Sequence, residues 1–216
     1  MTKKKIILFI VTEDWYFLSH RLYLALEAIK YGYEVHLITH CTNKKKVIEG
    51  YGIKVTNWVL KRRTFNIYSQ LHSIIQLYKL IKKTQPNLIH SVAMKPILYS
   101  SLVKLITNKS VNCNSFTGLG YIFTSNNTQI IILRKLLSYL FRYLFLQKKT
   151  IVIVQNKDDY KLFLKDKIVS KKKLYLIEGS GVDTKKFNIK SNNYKNNIIL
   201  LPSRMLWSKG VEEFIK

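Results

Sequence analysis

The chain has 216 residues, 47% of them apolar, which is enough for one large domain, or for one domain with part of another. Lysine and arginine total 37 against 12 acidic residues, a net charge of +25 that suits nucleic acid or anionic lipid. The two cysteines, Cys41 and Cys113, show no CxxC spacing and point to buried thiols of a reducing cytosol rather than a bridge.

The charge narrows further on inspection. Arginine occurs only six times, so nearly all the excess is lysine, with Ile, Asn and Tyr inflated beside it. AT-rich codons produce that skew without selection for binding, and no specific nucleic-acid partner is expected. An acidic membrane surface needs charge but no particular arrangement, and is the better match.

Taken in order, Lys3, Lys4 and Lys5 precede an apolar run over 6–12 that Glu13 and Asp14 end after seven residues. This is too short for a secretory leader and reads as a first strand over 5–12, buried on both faces. Helical spacing follows over 17–31, closed by Gly32. A strand is predicted over 33–39, a short helix over 43–49, a strand over 52–58 and a long amphipathic helix over 66–83. Then come a strand over 87–91, a helix from Pro96 to residue 106, a strand over 110–116 and the turn Gly118-Leu119-Gly120. Helix 128–147, strand 150–155, helix 158–166 and strand 173–177 complete the alternation.

Strands alternating with helices of ten or more residues predict a parallel α/β sheet with right-handed crossovers, a Rossmann-like domain over 1–184. Residues 185–197, rich in Asn and Lys, read as a linker, and a strand over 198–201 as the start of a second Rossmann-like domain over 198–216. That closing stretch carries Arg204 just past the strand and Lys209 before Gly210 and a helix start, a pattern suited to a diphosphate. No apolar run reaches the ~18 residues of a membrane span. Residues 130–146 come nearest, interrupted by Arg134, Lys135 and Arg142, and suit either a core helix or one lying on a membrane interface.

Six segments fall at the carboxyl edge of the predicted sheet. They are Glu13-Asp14-Trp15-Tyr16-Phe17-Leu18-Ser19-His20-Arg21, His90-Ser91-Val92-Ala93-Met94-Lys95-Pro96, Thr117-Gly118-Leu119-Gly120, Gln155-Asn156-Lys157-Asp158, Gly179-Ser180-Gly181-Val182-Asp183 and Ser203-Arg204-Met205-Leu206-Trp207-Ser208-Lys209-Gly210. In this order they resemble the bacterial family-4 retaining glycosyltransferases. The branch most similar builds capsule, O-antigen and related polyprenyl-diphosphate-linked glycans.

The resemblance implies a GT-B architecture of two Rossmann-like domains, the first holding the acceptor and the second the nucleotide-sugar donor. Arg204 and Lys209 match the residues that grip the donor diphosphate. No metal or other cofactor is implied beyond the nucleotide sugar as substrate. The family's paired glutamates, seven residues apart, are expected beyond residue 216, since Glu212 and Glu213 are adjacent and too close to Gly210. The chain is therefore expected to be a truncated form, with its catalytic pair unassigned.

On the acceptor side, Glu13, Asp14 and His20 suit hydrogen bonding to a sugar and Arg21 a phosphate. The plain alternative is acids favouring a helix N-terminus, with Arg21 paired to one of them. His90 ends a strand at the same edge, and Lys95 opens a helix where an acceptor phosphate fits. Thr117 and Gly118 suit contact with the acceptor sugar or a simple turn. Gly179, Gly181 and Asp183 resemble the interdomain loop whose backbone faces the donor. The expected activity is retaining hexosyl transfer to a polyprenyl-linked or cell-surface glycan. The expected location is the cytoplasm, with peripheral contact at the inner face of the membrane. The alternative is a non-catalytic acceptor- or membrane-binding module, a relic, or one half of a split enzyme with a separately encoded partner.

Overall fold

The computed structural model describes residues 4–60, 66–107, 109–124, 127–184, 187, 199–203, 205 and 207–216. It divides into two units, Met1–Gly181 and Val182–Lys216.

The first unit is a seven-stranded sheet, every pairing parallel, in the order β3-β2-β1-β4-β5-β6-β7. Its strands are β1 (Ile6–Glu13), β2 (Glu34–His40), β3 (Lys54–Asn57), β4 (Leu88–Val92), β5 (Val111–Phe116), β6 (Thr150–Val154) and β7 (Leu174–Leu176). The helices between them are α1 (Asp14–His20), α2 (Leu22–Lys30), α3 (Lys45–Glu49), α4 (Ile67–Thr84), α5 (Met94–Thr107), α6 (Gly120–Thr124), α7 (Thr128–Phe145) and α8 (Lys157–Lys165).

The continuous apolar run of β1 is explained by its central place. Phe9 and Val11 join a core with Phe17, Leu22 and Ala25 from α1 and α2. Leu8 and Ile10, on the opposite face, pack with Leu77 and Ile81 of α4 and with Tyr99 and Val103 of α5. A third core fills the β5–β6 side, where Phe116 meets Phe163, Phe141 and Phe145 edge-on at centroid distances of 5.0, 5.5 and 6.2 Å.

Two lysines serve as internal fasteners. Lys104 is 2% exposed, and its Nζ donates to the carbonyls of Lys148 and Lys149 and to Thr150 Oγ1. Burial, then the charges of Lys173 and Lys149, lower its pKa to about 8. Lys173 Nζ donates to the carbonyls of Phe145, Leu146 and Gln147, meeting the free acceptors at the end of α7.

Three expectations change. The helix expected over 17–31 is two helices, broken at Arg21 (φ −129°, ψ −11°). The apolar spacing runs through the break, so periodicity cannot show it. The short helix α6 is additional. The strand expected over 198–201 is not formed at Ile199–Leu201, and Ile198 lies outside the described residues. Residues 199–201 have no partner strand among the described residues, and without one their backbone cannot be satisfied as a strand. The second unit, among its described residues, holds a 3-10 turn at Trp207–Lys209 and helix α9 (Val211–Ile215) without any strand. Of the expected linker over 185–197, only Phe187 is described.

The connection from β4 to α5 places Ala93 at φ +75°, with its N–H donating to the Ser115 carbonyl. This backbone region opposes any Cβ and opposes a branched one most. Ala93→Val is expected to lose about 1–2 kcal/mol in urea denaturation, whereas Ala93→Gly should match or exceed the parent.

Candidate functional site

The strand order reverses direction between β1 and β4, and both strands end at the carboxyl edge where a crevice forms in open α/β sheets. Glu13 ends β1 there and Lys95 stands in the first turn of α5, whereas His90, expected to end its strand, is the middle residue of β4 and is buried.

Asp14 organises one side of this edge. It is fully buried, and its carboxylate accepts from the Thr42 hydroxyl (2.7 Å) and from the amides of Thr42 (2.7 Å), Trp15 (2.8 Å) and Lys44 (3.1 Å). Burial raises its pKa, but these four bonds outweigh burial and hold it below the ordinary carboxylate value. In this structure Asp14 ties the β1–α1 junction to the loop after β2, with its oxygens occupied internally.

His20 is exposed and stacks on Tyr16, with centroids 4.3 Å apart and planes 6° from parallel. Its Nδ1 lies 2.6 Å from Ser19 Oγ, which is 3.0 Å from the Trp15 carbonyl. A serine has one proton; with that proton on the carbonyl, Nδ1 is the donor and Nε2 keeps its lone pair for an outside hydroxyl.

Arg21, His90, Cys113 and Ser115 form the centre. Pairing sets Phe9 beside His90 and His90 beside Cys113, and the His90 ring stacks on Phe9 at 5.2 Å. His90 Nε2 lies 3.0 Å from Ser115 Oγ. Burial, then the charge of Arg21, lowers the His90 pKa to about 3. Cys113 is a free thiol, which burial pushes up to about 11 against the opposing pull of Arg21. Arg21 is 7% exposed, with its own pKa lowered by burial. Its Nη1 donates to Ser180 Oγ (3.0 Å) and to the His20 carbonyl (3.2 Å). The expected pairing of Arg21 with an acid is not found among the described residues. Ser180 stands between Gly179 (φ +73°) and Gly181 (φ +74°), so the expected donor-facing loop is tied to Arg21 by one side chain.

Lys95 is half-buried, which lowers its pKa, and its Nζ lies 3.5 Å from Gln70 Oε1, an oxygen that also accepts from Tyr99 Oη. Thr117 is half-buried and Gly118 exposed, with φ +121° at Gly118, while Leu119 and Phe123 anchor the turn in the core. Asp183 accepts from Phe187 N through its carbonyl at 3.0 Å. Arg204 lies outside the described residues. Lys209 is exposed and immediately precedes Gly210 and α9 in the second unit.

Thr42, Ser115 and Ser180 were not anticipated from the sequence. Ser115 had a signal, since Asn112, Asn114 and Ser115 are polar residues in a strand buried among parallel neighbours. Among the described residues no three His, Cys, Asp or Glu side chains cluster closely enough to hold a metal. A hollow of about 760 Å³ opens at the opposite, amino edge, between Lys5, Tyr33, Tyr78, Lys82, Lys109 and Lys149.

The fold and this edge define a Rossmann-like parallel α/β domain of the GT-B N-terminal type, a fold shared by sugar-transfer and sugar-epimerase enzymes. The profile of the Glycosyl transferase 4-like family matches residues 6–156, and the chain belongs to that family. Among solved structures it resembles a glycosyltransferase from Rickettsia africae ESF-5, at 18% identity and TM-score 0.59, covering 82% of this chain and 43% of that one. It also resembles the UDP-GlcNAc 2-epimerase of Neisseria meningitidis bound to UDP-GlcNAc, at 12% identity and TM-score 0.57, covering 81% and 47%. A third likeness is to Anabaena HepE in complex with UDP and glucose, at 13% identity and TM-score 0.53, covering 83% and 45%. These likenesses speak to the fold, and the chain spans less than half the length of each of the three structures. No curated protein matches.

His90 gives the site a pH signature. Unfolded, its imidazole titrates near 6.5; folded, near 3. The unfolded chain therefore takes up a proton that the folded one refuses, so the His90 contribution is full above pH 6.5 and declines as pH falls toward 3. Between pH 6.5 and 5 the loss is about 2 kcal/mol, at ~1.4 kcal/mol per unit. Urea denaturation at several pH values should show this slope in the parent, and His90→Gln should flatten it.

Proposed function

We propose that the chain is the acceptor-side domain of a retaining glycosyltransferase, which moves a hexose from a nucleotide sugar to a hydroxyl on a membrane-linked glycan. The observation that carries this reading is the family match over 6–156, whose strands and loops bring Glu13, His20, His90, Lys95, Thr117 and Gly118 to the carboxyl edge. His20 offers Nε2 to an acceptor hydroxyl, while Thr117 and Gly118 lie against the sugar. Lys95 meets an acceptor phosphate at the start of α5. Gly179, Gly181 and Asp183 present backbone toward the donor. By resemblance, Arg204 and Lys209 hold the donor diphosphate and stabilise the charge that grows on it as it leaves. The bond from the anomeric carbon to the phosphate oxygen breaks, the bond to the acceptor oxygen forms on the same face, and the departing phosphate oxygen takes the acceptor proton.

The membrane enters through α7. Its inner face is core, through Phe141, Leu144 and Phe145. Its outer face exposes Ile132, Leu136, Tyr139 and Tyr143, with Leu146 just beyond, spaced three and four residues apart. Residues 128–149 contain Arg134, Lys135, Arg142, Lys148 and Lys149 and no acid. Apolar side chains between cations suit an interface with acidic lipid. No helix among the described residues is long and apolar enough to cross a membrane.

Turnover is the direct test. With a nucleotide hexose, a polyprenyl-diphosphate-linked glycan and a donor-binding domain joined or added to the chain, release of the nucleotide diphosphate should require the acceptor and yield a product of unchanged anomeric configuration by NMR. Arg204→Ala and Lys209→Ala should each lower kcat by ~10²-fold or more. Acceptor-independent conversion of the sugar at C2 would instead identify an epimerase and overturn the reading.

Membrane contact has a separate readout. The chain should sediment with vesicles containing phosphatidylglycerol and remain free with phosphatidylcholine alone. Leu136→Gln combined with Tyr143→Gln should release it, and equal sedimentation by that variant would refute a role for α7.

A further inference from the structure

The packing around Arg21 leaves its guanidinium incomplete. Nη1 is engaged by Ser180 Oγ and the His20 carbonyl, while Nε is buried with no acceptor. Among the described residues no carboxylate lies within ion-pair distance of it. None of the groups shown to act on it is a carboxylate. The His90 imidazole is uncharged at physiological pH, Cys113 is a thiol, Tyr16 carries a phenol, and Ser180 is a hydroxyl. Asp14, the buried acid of this edge, is saturated by Thr42, Lys44 and Trp15.

A cation buried without a counter-ion is strongly unfavourable until an anion joins it. Nε and Nη2 point the same way and form the fork that grips two oxygens of a phosphate, and because Nε is covered by protein the grip requires those covering atoms to shift. Helix α2 starts immediately after Arg21, runs for nine residues, and has neither an acid in its first turn nor a side-chain cap, so its positive end adds to the same field. Ser180 accepts from Arg21 and keeps its own proton for a further acceptor.

We infer that Arg21 is the seat of a diphosphate of the substrate, two of its oxygens gripped by Nε and Nη2 at the carboxyl edge, with the Ser180 hydroxyl as an additional donor. That the diphosphate belongs to a substrate rests on the transferase reading. The anion site itself rests on the packing of Arg21. Diphosphate chemistry is common to a nucleotide-sugar donor and to a lipid-linked acceptor, and the two are separable by experiment.

The test is calorimetric titration of the full chain with inorganic pyrophosphate, UDP and geranyl diphosphate in parallel. Arg21→Met should weaken pyrophosphate binding at least tenfold and leave the melting temperature unchanged or higher, because it removes a buried charge that has no partner. Arg21→Lys, which keeps the charge without the fork, should recover only part of the affinity. Whichever of UDP and geranyl diphosphate loses affinity with Arg21→Met identifies the source of the diphosphate. Undiminished binding of all three by a folded Arg21→Met variant would overturn the inference. An Arg21 that only held the fold together would show the opposite pattern, with a lower melting temperature and intact binding. Should Arg21→Met fail to fold, the Arg21 Nε–H resonance of the parent decides, since pyrophosphate must shift it and an unmoved signal rejects the site. None of these readouts needs turnover, so the anion site stands or falls on Arg21-dependent binding alone, whatever the transfer assay gives.

Discussion

Parallel pairing is the constraint on which the rest of this molecule depends. Seven strands running one way put every strand-to-helix loop at one edge, so residues far apart in the chain arrive together without a special folding device. The central strand β1 must then be apolar on both faces, and the polar work is left to its end, to the loops and to buried polar residues such as His90 and Ser91 of β4. Glu13 ends β1 and Asp14 opens α1, whereas His90 is the middle residue of β4. The same rule makes the amino edge a place for fasteners, and Lys104 closes it by meeting the oxygens of residues 148–150.

Within this frame the buried charges follow two opposite designs. Asp14 is surrounded by donors until nothing of its carboxylate is left over. Arg21 is surrounded by groups that carry no negative charge. The first pattern belongs to a part that holds geometry, the second to a part that awaits a partner. His90 belongs between them, kept neutral by its surroundings and stacked on Phe9 where a charge would oppose Arg21.

The alternation of strands and helices was legible in the sequence because apolar runs and helical spacing report burial directly. So was the edge, since acids and basic residues directly after an apolar run mark the place where a strand leaves the core. What stayed hidden depended on contacts across the fold. Nothing in the first thirty residues announces that Thr42 and Lys44 close around Asp14. Arg21 and Ser180 are 159 residues apart, and Arg21 reads as meeting a phosphate with nothing to show Ser180 beside it. The break at Arg21 was invisible because side-chain periodicity survives a local change of φ and ψ. The run over 198–201 looked like a strand because four apolar residues carry no information about whether a neighbour exists to pair with them. Lysine misled in its own way, since Lys104 and Lys173, counted with the surface charge, turn out to bind carbonyls.

The Asp14 junction carries a consequence for how this highly basic chain behaves in different media. Attraction between its exposed lysines and an acidic surface acts over a Debye length and fades as ions are added, from ~10 Å at 0.1 M to ~3 Å at 1 M. The Asp14 carboxylate is held by short bonds to two main-chain loops within a space that ions do not enter. Added salt therefore weakens any such attraction while leaving the Asp14 junction in place. Long-range attraction and the buried junction thus answer to different variables.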